Sequence, residues 1–233
     1  MRAIFPPALH ILSIASLAIA LFCAVIITLD ELRCPQRMWI MNLVWPLTAL
    51  FGSLLWLFGY YRWGRGRTGE RSKPPMAVMV AKGASHCGAG CTLGDLVAEW
   101  LAFGLPGIAV MFGWQSLFAE KTFAVWIVDF LLAFIFGVFF QYFTIKPMRD
   151  LSAGAGLLAA IKADAASIAA WQVGMYGVMA LLQFGWLKPR FGAIAPVDSP
   201  EFWFLMQLAM LGGFVTSYPV NWWLIRIGLK EEM

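Results

Sequence analysis

The chain has 233 residues, 61 % of them hydrophobic and only 13 % charged, with a mean hydropathy of +0.75. Soluble domains are about one quarter charged, so a water-soluble globular fold is excluded, and apolar runs of about 20 residues read as bilayer-spanning helices. The net charge of +4 belongs to basic loops lying against anionic lipid and does not indicate nucleic acid.

In chain order, a first span is expected at about 7–29, with Pro6 and Pro7 suited to a helix start. Its apolar run is too long for a cleaved signal peptide, and Phe22 stands where cleavage needs a small residue. A polar link, 30–37, leads to a second span at 39–61, kinked at Pro46. Residues 1–61 thus form a two-helix membrane leader. A basic cytoplasmic loop, 62–85, holds Arg62, Arg65, Arg67, Arg71, Lys73 and Lys82. The remainder, 86–233, reads as a four-helix membrane core with spans at 92–113, 122–145, 152–186 and 202–225. Small residues broken by Lys162 and Asp164 begin the fifth span, so an interfacial or steeply tilted approach is expected there. The fold class is an all-α integral membrane bundle of about six transmembrane helices. The basic loop between spans two and three sets the orientation, which puts both termini in the cytoplasm and the protein in a bacterial inner (plasma) membrane.

Chemistry concentrates in His86-Cys87-Gly88-Ala89-Gly90-Cys91. Imidazole and thiolate suit soft or borderline metals, Cu⁺ or Zn²⁺, and glycines let a loop fold such ligands onto one ion. His86, Cys87 and Cys91 are therefore the candidate metal ligands, on the cytoplasmic side where thiols stay reduced. Thr92-Leu93-Gly94-Asp95 matches a capping box that would start the third span and put Cys91 at a helix N-terminus. Glu99 follows Asp95 by four residues, on the same face. Gln141, Lys162, Asp164, Gln172 and Asn221 fall at one depth with Asp95 and Glu99, as supporting groups, and His10 is expected at the same level. Asp129 is set apart from the cluster. Cys23 reads as a core thiol and Cys34 as a surface cysteine.

The segment Ala84–Asp95, together with Phe140-Gln141-Tyr142-Phe143-Thr144-Ile145-Lys146-Pro147-Met148-Arg149, Lys162-Ala163-Asp164, Trp171-Gln172-Val173-Gly174-Met175-Tyr176-Gly177 and Pro219-Val220-Asn221-Trp222-Trp223-Leu224-Ile225-Arg226, resembles bacterial and archaeal membrane proteins grouped as domain of unknown function 4396. That resemblance covers about 76–233. It implies one polytopic functional unit, with an occasional copper or oxidase association and no settled activity.

Metal transport, handling or sensing is the leading expectation. It is a binding role more than an enzymatic one, since no His-Glu-x-x-His pattern is present. The partners are the lipid bilayer and a metal ion, with a homo-oligomer compatible. One alternative is a thiol–disulfide oxidoreductase cycling Cys87 and Cys91, although the spacing is Cys-x-x-x-Cys and not Cys-x-x-Cys. Another is a non-catalytic transporter holding a small anion or lipid headgroup through Arg149, Lys162 and Arg226, with structural cysteines.

Overall fold

The computed structural model describes residues 5–66 and 74–231, in which the regular elements are helical and one isolated bridge joins Trp114 to Phe118. Helix α1 spans Pro7–Arg33 and α2 spans Met41–Gly59, continued by a π-helical turn, Tyr60–Gly64. Next come α3 (Met76–Gly104), the short α4 (Gly107–Met111) and α5 (Lys121–Arg149). Helix α6 (Ala153–Ala180) runs on through a π-helical segment, Leu181–Leu187, into α7 (Lys188–Phe191), and α8 (Pro200–Arg226) closes the bundle. Among the described residues, four helical stretches are long and apolar enough to cross a membrane: Pro7–Arg33, Met41–Gly64, Lys121–Lys146 and Ala153–Phe191. Helices α3 and α8 match them in length, 29 and 27 residues, and carry much of the polar interior instead. Outward-facing side chains such as Val173, Leu181 and Val215 are about 70 % exposed, whereas Asp129, Asp164 and Asn221 are fully buried. That inverts a soluble protein and suits a surface wetted by lipid.

Paired contacts fix the helix directions. His10 Nδ1 meets Glu201 Oε1 at 2.7 Å and Ser16 donates to Gln207 Oε1 at 2.7 Å, each pair 191 residues apart, so α1 and α8 run parallel and in step. Helix α3 opposes α5. A Cβ at Gly90 would lie 2.7 Å from Gly137 Cα, and one at Gly94 would lie 2.5 Å from the Ala133 nitrogen. Only missing side chains permit that backbone approach, the usual device for helix packing in lipid. Tyr176 donates to Trp126 O at 2.7 Å while Gly156 faces Tyr142, so α6 opposes α5. Helices α1, α5 and α8 therefore run one way, and α3 and α6 return.

Helix α2 departs from expectation. Pro46 stays within it, and the break falls at Ser53, whose φ of 46° and ψ of −129° are not helical. In an unbroken helix Trp45 and Tyr60 would stand about 22 Å apart at 1.5 Å per residue, yet their rings are 5.6 Å apart. The segment is a hairpin that turns back at Ser53. Its return limb is clamped to the end of α1: Tyr60 Oη donates to Asp30 Oδ2, and Arg65 Nε and Nη2 each donate to the same carboxylate, all at 2.8 Å.

Two further expectations are corrected. Residues 76–85, expected in the basic loop, open α3, so the third long helix starts well before Thr92 and ends at Gly104. Ala153 begins an uninterrupted helix, with Ser152 Oγ accepting from Ala155 N, and no separate interfacial piece precedes it. The first and last described residues lie at opposite ends of the bundle. Phe5 stacks edge-on against Phe191 at one end, while Arg149 holds the Gly228–Glu231 tail at the other. Of the basic residues used for orientation, Arg2, Arg67, Arg71 and Lys73 lie outside the described residues.

Candidate functional site

Four ionisable residues recur every fourth position along α3: Cys87, Cys91, Asp95 and Glu99. Positions i and i+4 share a helix face, and all four residues are buried. The stripe rises about 18 Å, a large part of a bilayer's hydrocarbon core of about 30 Å. Intramembrane ionisable groups are costly, and they mark ion or proton pathways.

At one end of the stripe lies a closed polar cluster. Cys87 Sγ donates to Asp164 Oδ1 at 2.8 Å and also lies 2.8 Å from Ser167 Oγ. Asn221 Nδ2 donates to Ser167 Oγ at 2.6 Å and to Ser217 O at 2.9 Å. Lys230, from the tail beyond α8, reaches in: its Nζ donates to Asp164 Oδ1 at 2.8 Å and to Cys87 Sγ at 2.9 Å, and neither the Lys230 nor the Asp164 side chain touches solvent. Burial works against the charge on Lys230, but Asp164 and Cys87 outweigh it and hold its pKa above the ordinary lysine value. Asp164 Oδ2 and Asn221 Oδ1 have no hydrogen-bond partner.

Farther along, both carboxylate oxygens of Asp95 and both of Asp129 lack partners, as do both amide atoms of Gln141 and of Gln172. The Gly90–Gly137 and Gly94–Ala133 contacts set an antiparallel register that puts Asp129 level with Ala98. That height falls between Asp95 and Glu99 on α3, within one residue of Glu99. Lys121 Nζ donates to Ala102 O at 2.7 Å, three residues past Glu99 at the far end of the column. Asp129, set apart by sequence, therefore joins the column.

The expected ligand trio does not assemble. His86, Cys87 and Cys91 lie on a continuous helix, where adjacent residues diverge by about 100°. His86 Nε2 pairs with Thr144 Oγ1 at 2.9 Å, against α5, whereas Cys87 faces Asp164 of α6. The glycines between them turn no loop; Gly88 makes room for the Trp171 ring and Gly90 for α5. Among the described residues no group of three or more His, Cys, Asp or Glu is placed to hold a metal ion. The capping box is absent as well. Thr92 lies mid-helix and its hydroxyl donates to Gly88 O at 2.7 Å, so Asp95 is no cap and Cys91 is not at a helix terminus.

Of the supporting residues, Asp164 and Asn221 join the Cys87 cluster, while Gln141 and Gln172 are buried on α5 and α6. Lys162 is exposed, and His10 pairs with Glu201 at the opposite end of the bundle. Arg149 is taken up by the tail and Arg226 lies over Trp222, 5.6 Å from its centroid. Lys230 escaped sequence reading because a single lysine just past an apolar helix carries no periodic signal.

A lipid-facing helical bundle with an ionisable interior defines the class: a helical membrane-type protein organised about a polar column. The chain belongs to the family described as Domain of unknown function (DUF4396), whose model matches residues 78–230. That match runs from the start of α3 to Lys230 and omits α1 and the α2 hairpin. No curated protein and no solved structure matches the chain.

Proposed function

We propose that the chain is an integral membrane protein that passes cations along the α3 column. The carrying observation is the buried Cys87, Cys91, Asp95, Glu99 repeat, extended by Asp129 and Asp164. The thiols at one end favour Cu⁺ or Zn²⁺ over alkali ions, and the carboxyls beyond them can also carry protons. Sequential contact with a few donors, without a closed cage, suits transit better than storage.

The same proposal has five crossings, α1, α3, α5, α6 and α8, with the α2 hairpin re-entering from one side. Lys121, Lys188 and Arg190 lie at the Pro7 end of the bundle, against Arg33, Arg37, Arg62, Arg65, Arg149 and Arg226 at the other. The positive-inside rule then puts the C-terminal end, the hairpin and the Cys87 cluster in or facing the cytoplasm of a bacterial cell, where thiols remain reduced.

Transport is tested with purified protein in liposomes that trap Zn²⁺-, Cu⁺- and pH-sensitive dyes. Flux of at least one of the three ions above protein-free vesicles is expected. Rates indistinguishable from empty vesicles for all three would overturn the proposal.

A further inference from the structure

A fully buried lysine supplied by a chain end is an unusual component for a membrane interior, and here it is held in place deliberately. Past α8 the chain curls back on the last turn: Gly228 takes φ +71°, and the Leu229 and Lys230 amides donate to Leu224 O at 3.0 and 3.2 Å. Arg149 secures the tail from outside through Gly228 O and Glu231. The Lys230 stem then passes Gly83, where an added Cβ would lie 3.7 Å from its Cε, and delivers the ammonium to Asp164 and Cys87.

The cluster has more acceptors than the lysine uses. The ammonium takes Asp164 Oδ1 and Cys87 Sγ, the sulfur lies 2.8 Å from the Ser167 hydroxyl, which accepts from Asn221 Nδ2, and Asp164 Oδ2 and Asn221 Oδ1 remain unpartnered though buried. An oxygen and a sulfur donor on one buried positive charge, with further polar oxygens hydrogen-bonded beside them or left unpartnered, make a cation site. The ammonium now in it is tethered to the protein by a flexible stem.

We propose that Asp164, Cys87, Ser167 and Asn221 form a binding site for a small metal cation and that Lys230 is its built-in occupant, displaced when the cation enters. The mixed oxygen and sulfur donor set suits a borderline ion, and Zn²⁺ is the probe. The idea of displacement by cargo rests on the transport reading above, but binding itself is measurable without transport.

Zn²⁺ binding is measured by equilibrium dialysis on the full chain in detergent micelles. Lys230→Met keeps the apolar stem and removes the competing charge. It is expected to bind Zn²⁺ about tenfold more tightly than the parent, because a self-occupied site lowers apparent affinity by the fraction of time it is filled. Adding Asp164→Asn to Lys230→Met should abolish that gain. A folded Lys230→Met protein that binds Zn²⁺ no better than the parent overturns the proposal. A second measurement needs no variant: in the parent, Lys230 is shielded from reductive methylation, and saturating Zn²⁺ should expose it to the reagent. Unchanged protection contradicts displacement even if Lys230→Met fails to fold. Zn²⁺-dependent exposure without any ion flux in liposomes would reject the transport reading and leave this site standing, whereas flux with unchanged Lys230 protection would do the reverse.

Discussion

Asp164 and Lys230 form a buried ion pair with both side chains out of solvent, so removing either one leaves a charge stranded in the interior. Breaking such a pair costs about 3–5 kcal/mol, whereas replacing both members with neutral groups of similar shape is far milder. Asp164→Ala is therefore expected to lose stability of about that size in detergent unfolding measurements, and Asp164→Asn combined with Lys230→Met to recover most of it. A cost below about 1 kcal/mol for Asp164→Ala would mean that the pair is hydrated and weak. Asp95 is the opposite case. Neither of its oxygens has a partner, so Asp95→Asn removes a potential charge without breaking a bond. Its stability is expected to stay within about 1 kcal/mol of the parent or to rise. Sequence pattern singled out Asp95, Glu99 and Asp164 because a charged side chain in an apolar run is conspicuous. It misread His86 and Cys91 because glycine-flanked Cys and His look alike in a metal loop and in a tightly packed membrane helix.

Within single elements, glycine has two meanings in this chain. Gly90 and Gly94 bring α3 against α5 so closely that a side chain would meet backbone. Gly94→Leu is expected to cost about 1–3 kcal/mol or more by overpacking and to lower the unfolding temperature, while the same change at Gly104, which faces open space, should be nearly silent. Ser53 has the reverse problem: its positive φ strains a residue with a Cβ. Ser53→Gly should relieve that strain and stabilise the hairpin by about 1 kcal/mol, and a loss of stability there would contradict the backbone geometry. Helix α8 was legible to within two residues at each end, and α5 to one residue at its start but four at its end, since long apolar runs give way to polar ones near Lys121, Lys146, Ser199 and Arg226. The hairpin was not. Pro46 is the visible helix breaker, yet it lies near the start of α2, and Ser53 gives no composition signal. The early start of α3 was hidden for a related reason: Lys82, Gly83, Ser85 and His86 lower the local hydropathy, and only packing against α5, α6 and α8 makes a helix of them.

For the molecule as a whole, the proposed re-entry of the α2 hairpin leaves five crossings and puts the chain ends on opposite sides. The same change sharpens the distribution of basic residues, which now gather at the Lys230 end. A green fluorescent protein joined after Met233 is expected to fluoresce in intact cells, and a tag at the first residues should be cut by protease added outside. Both ends on one side would restore an even number of crossings and reject the re-entrant hairpin. The column itself links the two ends of the bundle, with Lys230 and Cys87 at one and Glu99 and Lys121 at the other, so its most direct test separates function from folding. Ion flux into liposomes is compared for the parent and Asp95→Asn, each checked for unchanged unfolding temperature. A column that carries cations predicts flux cut about tenfold or more in a variant that folds as well as the parent; equal flux in both proteins would contradict it.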